Sequence, residues 1–271
     1  MIFIVLLGIG AFVIYRFDKQ LKQSYAYAGR TAAPLRSKLL PVPKAYSAIL
    51  EKYFPYYRQL DEANKAKFLQ KLTHFIYRKR FIPRDIDNVT IEAKVLIAAT
   101  AVQLTFGLAD IYLDHFNKIL VYPNDYYSSI TKRFHKGEVN PRFGIIVISW
   151  QSFVDGFIYP KDAVSLGLHE MAHALRLENL IRQKDYHFFD EHLITQFDAY
   201  AQKFCRVVNW SETFFRPYAC ANEHEFFSVA VENFFERSLE FKAEMPELYA
   251  ILTKLLNQDP SLLPLPEIHR P

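Results

Sequence analysis

Apolar positions recur at helical spacing over most of this chain, and a short central stretch switches to the runs of β-branched residues that strands prefer. From Asp61 to Arg80 the side chains of Phe68, Leu72, Phe75 and Ile76 form one stripe, which predicts an amphipathic helix. Pro83 interrupts, and Ile91 to Phe106 predicts a second helix. Its run VLIAATAVQLTF is almost wholly apolar, so it belongs in a core. Twelve residues that include Gln103 and Thr105 are too few to span a membrane. Lys118–Tyr122, ahead of Pro123, and Gly144–Trp150, between Asn140-Pro141 and Asp155-Gly156, predict two strands. Helical spacing returns over Asp162–Asn179, Asp190–Val208 and Asn222–Leu239, and Pro246 suits the first position of a last helix reaching Asn257. Residues 45–60 are aromatic and only weakly periodic. Helices, a small sheet, then helices again is the order of an α+β fold, and no internal repeat is visible.

The N-terminus has a different pattern. MIFIVLLGIGAFVIY, residues 1–15, contains no charged side chain. As a helix it reaches about 22 Å against a hydrocarbon core of about 30 Å, and snorkelling by Arg16 and Lys19 extends that reach. A cleaved signal peptide is the alternative, but the basic leading region is missing and the small-residue triplet Ala26-Tyr27-Ala28 comes only after charged residues. Behind the apolar run stand Arg16, Lys19, Lys22, Arg30, Arg36, Lys38 and Lys44 against a single acid, Asp18, a net +6. A basic tract beside an apolar segment reads as contact with an anionic membrane surface. The expected organisation is an anchor over 1–15, a basic juxtamembrane linker over 16–44, one folded domain over 45–260 and an irregular Pro-rich tail over 261–271. The positive-inside tendency puts that domain on the cytoplasmic side of the cell membrane as a single-pass protein; a wholly cytoplasmic chain is the alternative.

Composition narrows the classes further. The 271 residues are 51% hydrophobic and carry a net charge of +4, enough apolar material for a substantial core and nothing like a disordered chain. Aromatics make up 16%, but they do not interleave with basic residues on one face, so no nucleic-acid partner is expected. There are two cysteines, Cys205 and Cys220. A chain this large does not need a disulfide, so they are expected as buried free thiols in a reducing compartment.

The chemistry concentrates at His169-Glu170-Met171-Ala172-His173. Residues four apart share a helix face, so both imidazoles can reach one metal ion, and Glu170 between them can polarise a water held there. Glu170-Met-Ala-His173 also fits half of a di-iron carboxylate site, but such sites need the motif twice and no second copy exists. Catalytic zinc takes three protein ligands and an open position. No histidine follows His173 at close spacing, so the third ligand comes from elsewhere in the fold. Spacing leaves Glu178, Asp198, Glu225 and Glu232 all open. Glu232 also suits support of a ligand histidine from behind, and the strand ending in Trp150 suits the border of a cleft, pairing with substrate backbone.

The surroundings of His169, together with Tyr218-Ala-Cys-Ala-Asn222-Glu-His-Glu225-Phe-Phe-Ser-Val-Ala and Glu232-Asn-Phe-Phe-Glu236, resemble the Mlc titration factor A family of bacterial zinc-dependent peptidases. Ile119-Leu-Val-Tyr-Pro123, Val147-Ile-Ser-Trp150 and Pro246-Glu-Leu-Tyr249 add to the likeness, which covers about residues 60–260. The resemblance implies a gluzincin-like, zincin-type catalytic domain related to that of anthrax lethal factor. It also implies one Zn2+ per chain, Glu225 as third ligand, Tyr218 as a catalytic tyrosine, and aminopeptidase-like activity. Arg176 stands where the family often has aspartate, Asn222-Glu223-His224 replaces its usual Asn/Asp-Pro-Ala, and the N-terminal apolar segment is an addition.

The expected function is hydrolysis of peptide bonds in a peptide or protein substrate, with zinc on His169, His173 and Glu225, Glu170 as general base and Tyr218 as oxyanion donor. Two rivals are kept. One is a membrane-tethered regulatory module with a structural zinc closed by a fourth ligand from Cys220 or His224; the other is a zinc hydrolase of a non-peptide amide or ester. The family's name refers to binding a transcriptional repressor, so a regulatory partner is conceivable, but no residue here identifies one.

Overall fold

Among the described helices the most deeply buried is an almost wholly apolar one, Ile91–Thr105, and helices on several sides pack against it. The computed structural model describes residues 40–108, 110–128, 132–158, 163–182, 188–209 and 213–264, all within the unit Leu40–Pro271. Helix α1 (Lys44–Tyr53) and the short α2 (Pro55–Arg58) lead into α3 (Glu62–Arg78), whose N-terminus is capped by the Asp61 carboxylate on the Asn64 amide. After strand β1 (Arg80–Pro83), Thr90 caps the buried α4 (Ile91–Thr105), in which Val95, Ile97, Ala98, Ala99, Ala101 and Val102 are wholly enclosed.

Strand β2 (Lys118–Tyr122) is followed by the hairpin β3 (Tyr126–Ser128) and β4 (Arg133–His135), then by β5 (Gly137–Asn140) and β6 (Ile145–Ser149). The four-stranded sheet runs in the order β1-β2-β6-β5, parallel except for β5, which pairs antiparallel with β6. Four helices then follow: α5 (Trp150–Ile158), α6 (Leu166–Arg182), α7 (Glu191–Val207) and, after a 3-10 segment (Pro217–Ala221), α8 (Glu223–Glu236). Helices α9 (Ser238–Glu244) and α10 (Pro246–Leu256) and a last 3-10 turn (Pro260–Leu262) close the described chain. The fold is mainly helical with a small mixed sheet, the α+β class.

Several expectations are corrected. Residues 45–60, only weakly periodic in sequence, form two helices, because Leu50, Phe54, Tyr56 and Tyr57 all find burial that their spacing does not announce. Trp150 does not end a strand; it opens α5, its ring stacked on Phe153 at 5.5 Å. The metal-site helix begins at Leu166, later than the expected Asp162, and its buried stripe consists of Leu168, Met171, Ala172 and Leu175. Arg237 leaves helical geometry and divides the long C-terminal helix in two.

The cysteines are also not free thiols. Cys205, in the last turn of α7, is bonded to Cys220 in the 3-10 segment, with Cα atoms 5.6 Å apart. Spacing could not reveal this, because the bond depends on where the fold brings the end of α7 and the 3-10 segment together. The proposed anchor over 1–15 and most of the linker lie outside the described residues, and so does the end of the tail. Among the described residues no helix is long and apolar enough to cross a membrane.

Candidate metal centre

Ser165 immediately precedes helix α6; its hydroxyl accepts from the Leu168 amide and its carbonyl from the His169 amide. With Leu168, Met171, Ala172 and Leu175 turned into the core, His169 and His173 fall on the remaining face, their side chains 13% and 14% exposed. Helix α8 brings the third group. Asn222 caps it by accepting from the amides of His224 and Glu225, which fixes Glu225 in the first turn. The reciprocal half of a capping box is missing, because the Glu225 carboxylate turns to the two histidines instead.

The three ligand atoms form a small triangle. His169 Nε2 lies 3.1 Å from His173 Nε2 and 3.1 Å from Glu225 Oε2, and His173 Nε2 lies 3.3 Å from the same oxygen. Tetrahedral zinc with bonds of about 2.0–2.1 Å separates its ligands by about 3.3–3.4 Å, so the triangle has the size such an ion requires. Glu225 Oε2 is buried and no donor meets it at a hydrogen-bonding angle, although two imidazole nitrogens stand beside it. That is how metal ligands look, and two imidazoles with one carboxylate suit zinc. Burial alone would raise the Glu225 carboxyl; the two facing imidazoles override it and hold it far below the usual carboxylate range. Burial would likewise lower His169, but bonding to Glu225 and Glu232 pushes it up to about 10.

The other candidate carboxylates are engaged elsewhere. Glu232, 1% exposed on α8, accepts the Nδ1 proton of His169 at 2.7 Å, which leaves His169 Nε2 facing the triangle. Glu232 is in turn held by Arg216 (Nη2 at 2.7 Å, Nη1 at 3.1 Å) and by the Ser165 amide at 2.9 Å. Sequence reasoning missed Arg216. Glu178, fully buried, accepts from the His115 amide, and Asp198 pairs with Arg176 at 2.6 Å. His224 is not part of the triangle, and Cys220 is committed to its disulfide. Among the described residues, His169, His173 and Glu225 are the group of His, Cys, Asp and Glu that could hold a metal.

Glu170 is 6% exposed and lies against β5. A Cβ at Gly137 would fall 2.5 Å from Glu170 Oε1, so only glycine leaves room for the carboxylate. Burial first, then Glu225, Glu232 and Glu138, push its carboxyl up to about 8 against the opposing pull of His169. Tyr218, in the 3-10 segment, is 52% exposed with its ring 6.1 Å from that of His169. Partial burial and the negative charge of Glu225 push it up to about 12. Trp150 packs on the core. The strand before it, β6, is flanked on both sides, so it has no free edge for a substrate; among the described residues the edge strands of this sheet are β1 and β5, and β5 is the one beside Glu170.

At the level of class, the comparisons agree with this arrangement: residues 30–256 match the model of the glucose-regulated metallo-peptidase M90 family, and the chain belongs to that family. Such a family implies a bound metal, usually zinc. Among individual relatives, the chain is 24% identical over 251 residues to the Mlc titration factor A of Edwardsiella ictaluri, covering 85% of this chain and 92% of that protein. It is 27% identical over 239 residues to the uncharacterised protein slr2042 of Synechocystis sp., covering 81% of this chain and 86% of that one. The resemblance read from the motifs is thereby shown.

Proposed function

We propose that this chain is a zinc-dependent peptidase of zincin-like fold in which His169, His173 and Glu225 hold the metal. When bound, zinc would supply Lewis acidity, making a water acidic near neutral pH and drawing charge from a scissile carbonyl. Glu170 takes the proton of the attacking water and returns it to the leaving amine. A carboxyl pushed up to about 8 in the metal-free site suits this, since it can hold a proton between the two transfers. Tyr218 donates its hydroxyl to the oxyanion, and its half-exposed position leaves it free to meet substrate. Glu232 fixes the tautomer and orientation of His169. The open edge of β5 beside Glu170 suits an extended peptide, whose backbone can add to it as a further strand.

The observation that carries this reading is the triangle of 3.1–3.3 Å with a buried glutamate next to it. A structural zinc has less support, because no fourth ligand joins the three among the described residues. A hydrolase of small amides or esters has no use for a free strand edge. On the strength of the uncharged run over 1–15 and the +6 segment behind it, the reading also anchors the chain in the cell membrane with the domain facing the cytoplasm.

The test is bound zinc and hydrolysis of a mixed peptide library, measured together in wild type, Glu170→Gln and His169→Ala. Glu170→Gln should keep its zinc and lose about 10²–10⁴ in kcat, while His169→Ala loses both. Wild-type hydrolysis by Glu170→Gln removes the catalytic assignment. Running the library with free and acetylated N-termini separates aminopeptidase action from cleavage within a chain.

A further inference from the structure

The Cys205–Cys220 bond ties the last turn of α7 to residues 213–220, a segment that lies against the metal site. Two of them reach it. Arg216 grips both oxygens of Glu232, the carboxylate that orients His169, and also donates to the Ala163 carbonyl at the foot of α6. Tyr218 lies two residues before Cys220, its ring beside that of His169, which itself stands 3.1 Å from Glu225. None of the three ligand atoms is on this loop; His169 and His173 belong to α6 and Glu225 to α8.

The anchoring of the loop is uneven. Phe215 is buried among Phe204, Phe226 and Phe241, and Ala219 is wholly enclosed, whereas Arg216 is partly covered and Pro217 and Tyr218 are exposed. The α7 end is thinner still: after Phe204 its last turn holds exposed Arg206 and Val207. The disulfide is therefore the covalent tie between that turn and the segment carrying Tyr218, and both its cysteines are partly exposed.

We propose that the Cys205–Cys220 bond makes residues 213–220 a redox-dependent positioning element for Tyr218, holding it beside His169 and Glu225, so that opening the bond slows hydrolysis without releasing the metal. The inference rests on the peptidase reading for its effect on rate, though not for its effect on the loop. The opening reaction is exchange with a dithiol. One thiolate attacks a protein sulfur to give a mixed disulfide, and the second thiol of the reagent displaces it. Cys205 and Cys220 are left as thiols and the reagent as a cyclic disulfide, two electrons and two protons having passed to the protein. A dithiol pool of the kind that keeps cytosolic thiols reduced would act as the effector.

The experiment compares the full-length oxidised protein with protein reduced by a small dithiol, desalted without oxygen and reloaded with zinc. A Cys205→Ser/Cys220→Ser variant serves as a permanently open form. Free thiols, bound zinc, kcat and KM, and hydrogen exchange of residues 213–221 are measured in each. Opening the bond should lower kcat about tenfold with KM and zinc content unchanged, and should speed exchange in 213–221 while α6 stays protected. In a Tyr218→Phe background it should cost no more than about twofold further, because the group it positions is already gone. An unchanged kcat in protein whose thiol count shows the bond open overturns the inference, and so does a full tenfold loss in the Tyr218→Phe background. Absence of hydrolysis in every form, with exchange of 213–221 still dependent on the bond, retires the peptidase reading and leaves the positioning role standing.

Discussion

At the scale of single residues, position on a helix and role at the site come apart. Glu170, Glu225 and Glu232 are all glutamates on helices, yet burial and neighbours hold Glu225 far below the normal carboxylate range and push Glu170 up to about 8. Glu225→Ala should therefore lower zinc affinity and activity together, whereas Asp198→Ala, which removes only the partner of Arg176, should leave zinc in place; metal titration of the two variants decides it. The raised Glu170 carboxyl also makes a prediction about folding. In metal-free protein the folded state keeps a proton that the unfolded chain releases above about 4.5, so stability falls as pH rises from about 4.5 to about 8. Below that window both states are protonated, and above it both are ionised and the loss is complete. Glu170→Gln removes this titration. Its metal-free form should resist urea better than wild type at pH 8, by on the order of a few kcal/mol, with the gap closing at pH 4.5. Equal midpoints at both pH values would contradict the assignment of a buried, proton-holding Glu170.

At the scale of elements, the site depends on how closely β5 approaches α6. Gly137 pairs with Ile148 in the sheet and leaves its outer side to the Glu170 carboxylate. Gly137→Ala puts a methyl group where that carboxylate lies, so the glutamate must move while the histidines stay. The expected result is a loss of kcat of about 10–10² with zinc content unchanged, since displacing a general base removes part of its contribution. Zinc loss in this variant would mean that the strand supports the ligands rather than the base. The 3-10 segment is the second such element. A loop of about fifteen residues closed by a disulfide is restricted in the unfolded chain by about 3 kcal/mol, so the Cys205–Cys220 bond also contributes to stability where it forms.

At the scale of the whole molecule, the unit beginning at Leu40 contains the sheet, the buried helix α4 and every residue of the proposed site. The anchor proposal concerns residues outside it. Full-length protein should sediment with membranes and stay there in high salt, while a chain starting at Leu40 should be recovered soluble and still bind zinc. Recovery of the intact full-length chain in the low-salt supernatant would sink the anchor.

The sequence by itself determined whatever depends on neighbours a few residues apart. The stripe of Phe68, Leu72 and Phe75, the wholly apolar run of α4, and the two histidines one turn apart on α6 are all set by helical period. So were the strands β2 and β6, written in β-branched residues. Four carboxylates remained equal candidates for the third ligand, because nothing local separates Glu178, Asp198, Glu225 and Glu232. Family resemblance favoured Glu225, and only the packing of α8 against α6 places it 3.1 Å from His169 while sending Glu232 behind the ring. Arg216, Gly137 and the Cys205–Cys220 bond carry no signature in the sequence. Their partners stand 16, 33 and 15 positions away, and such contacts exist only once the chain has closed on itself. β5 shows the same division. Gly-Glu-Val-Asn is too short and too polar to announce a strand, and pairing with β6 makes it the open edge beside the general base.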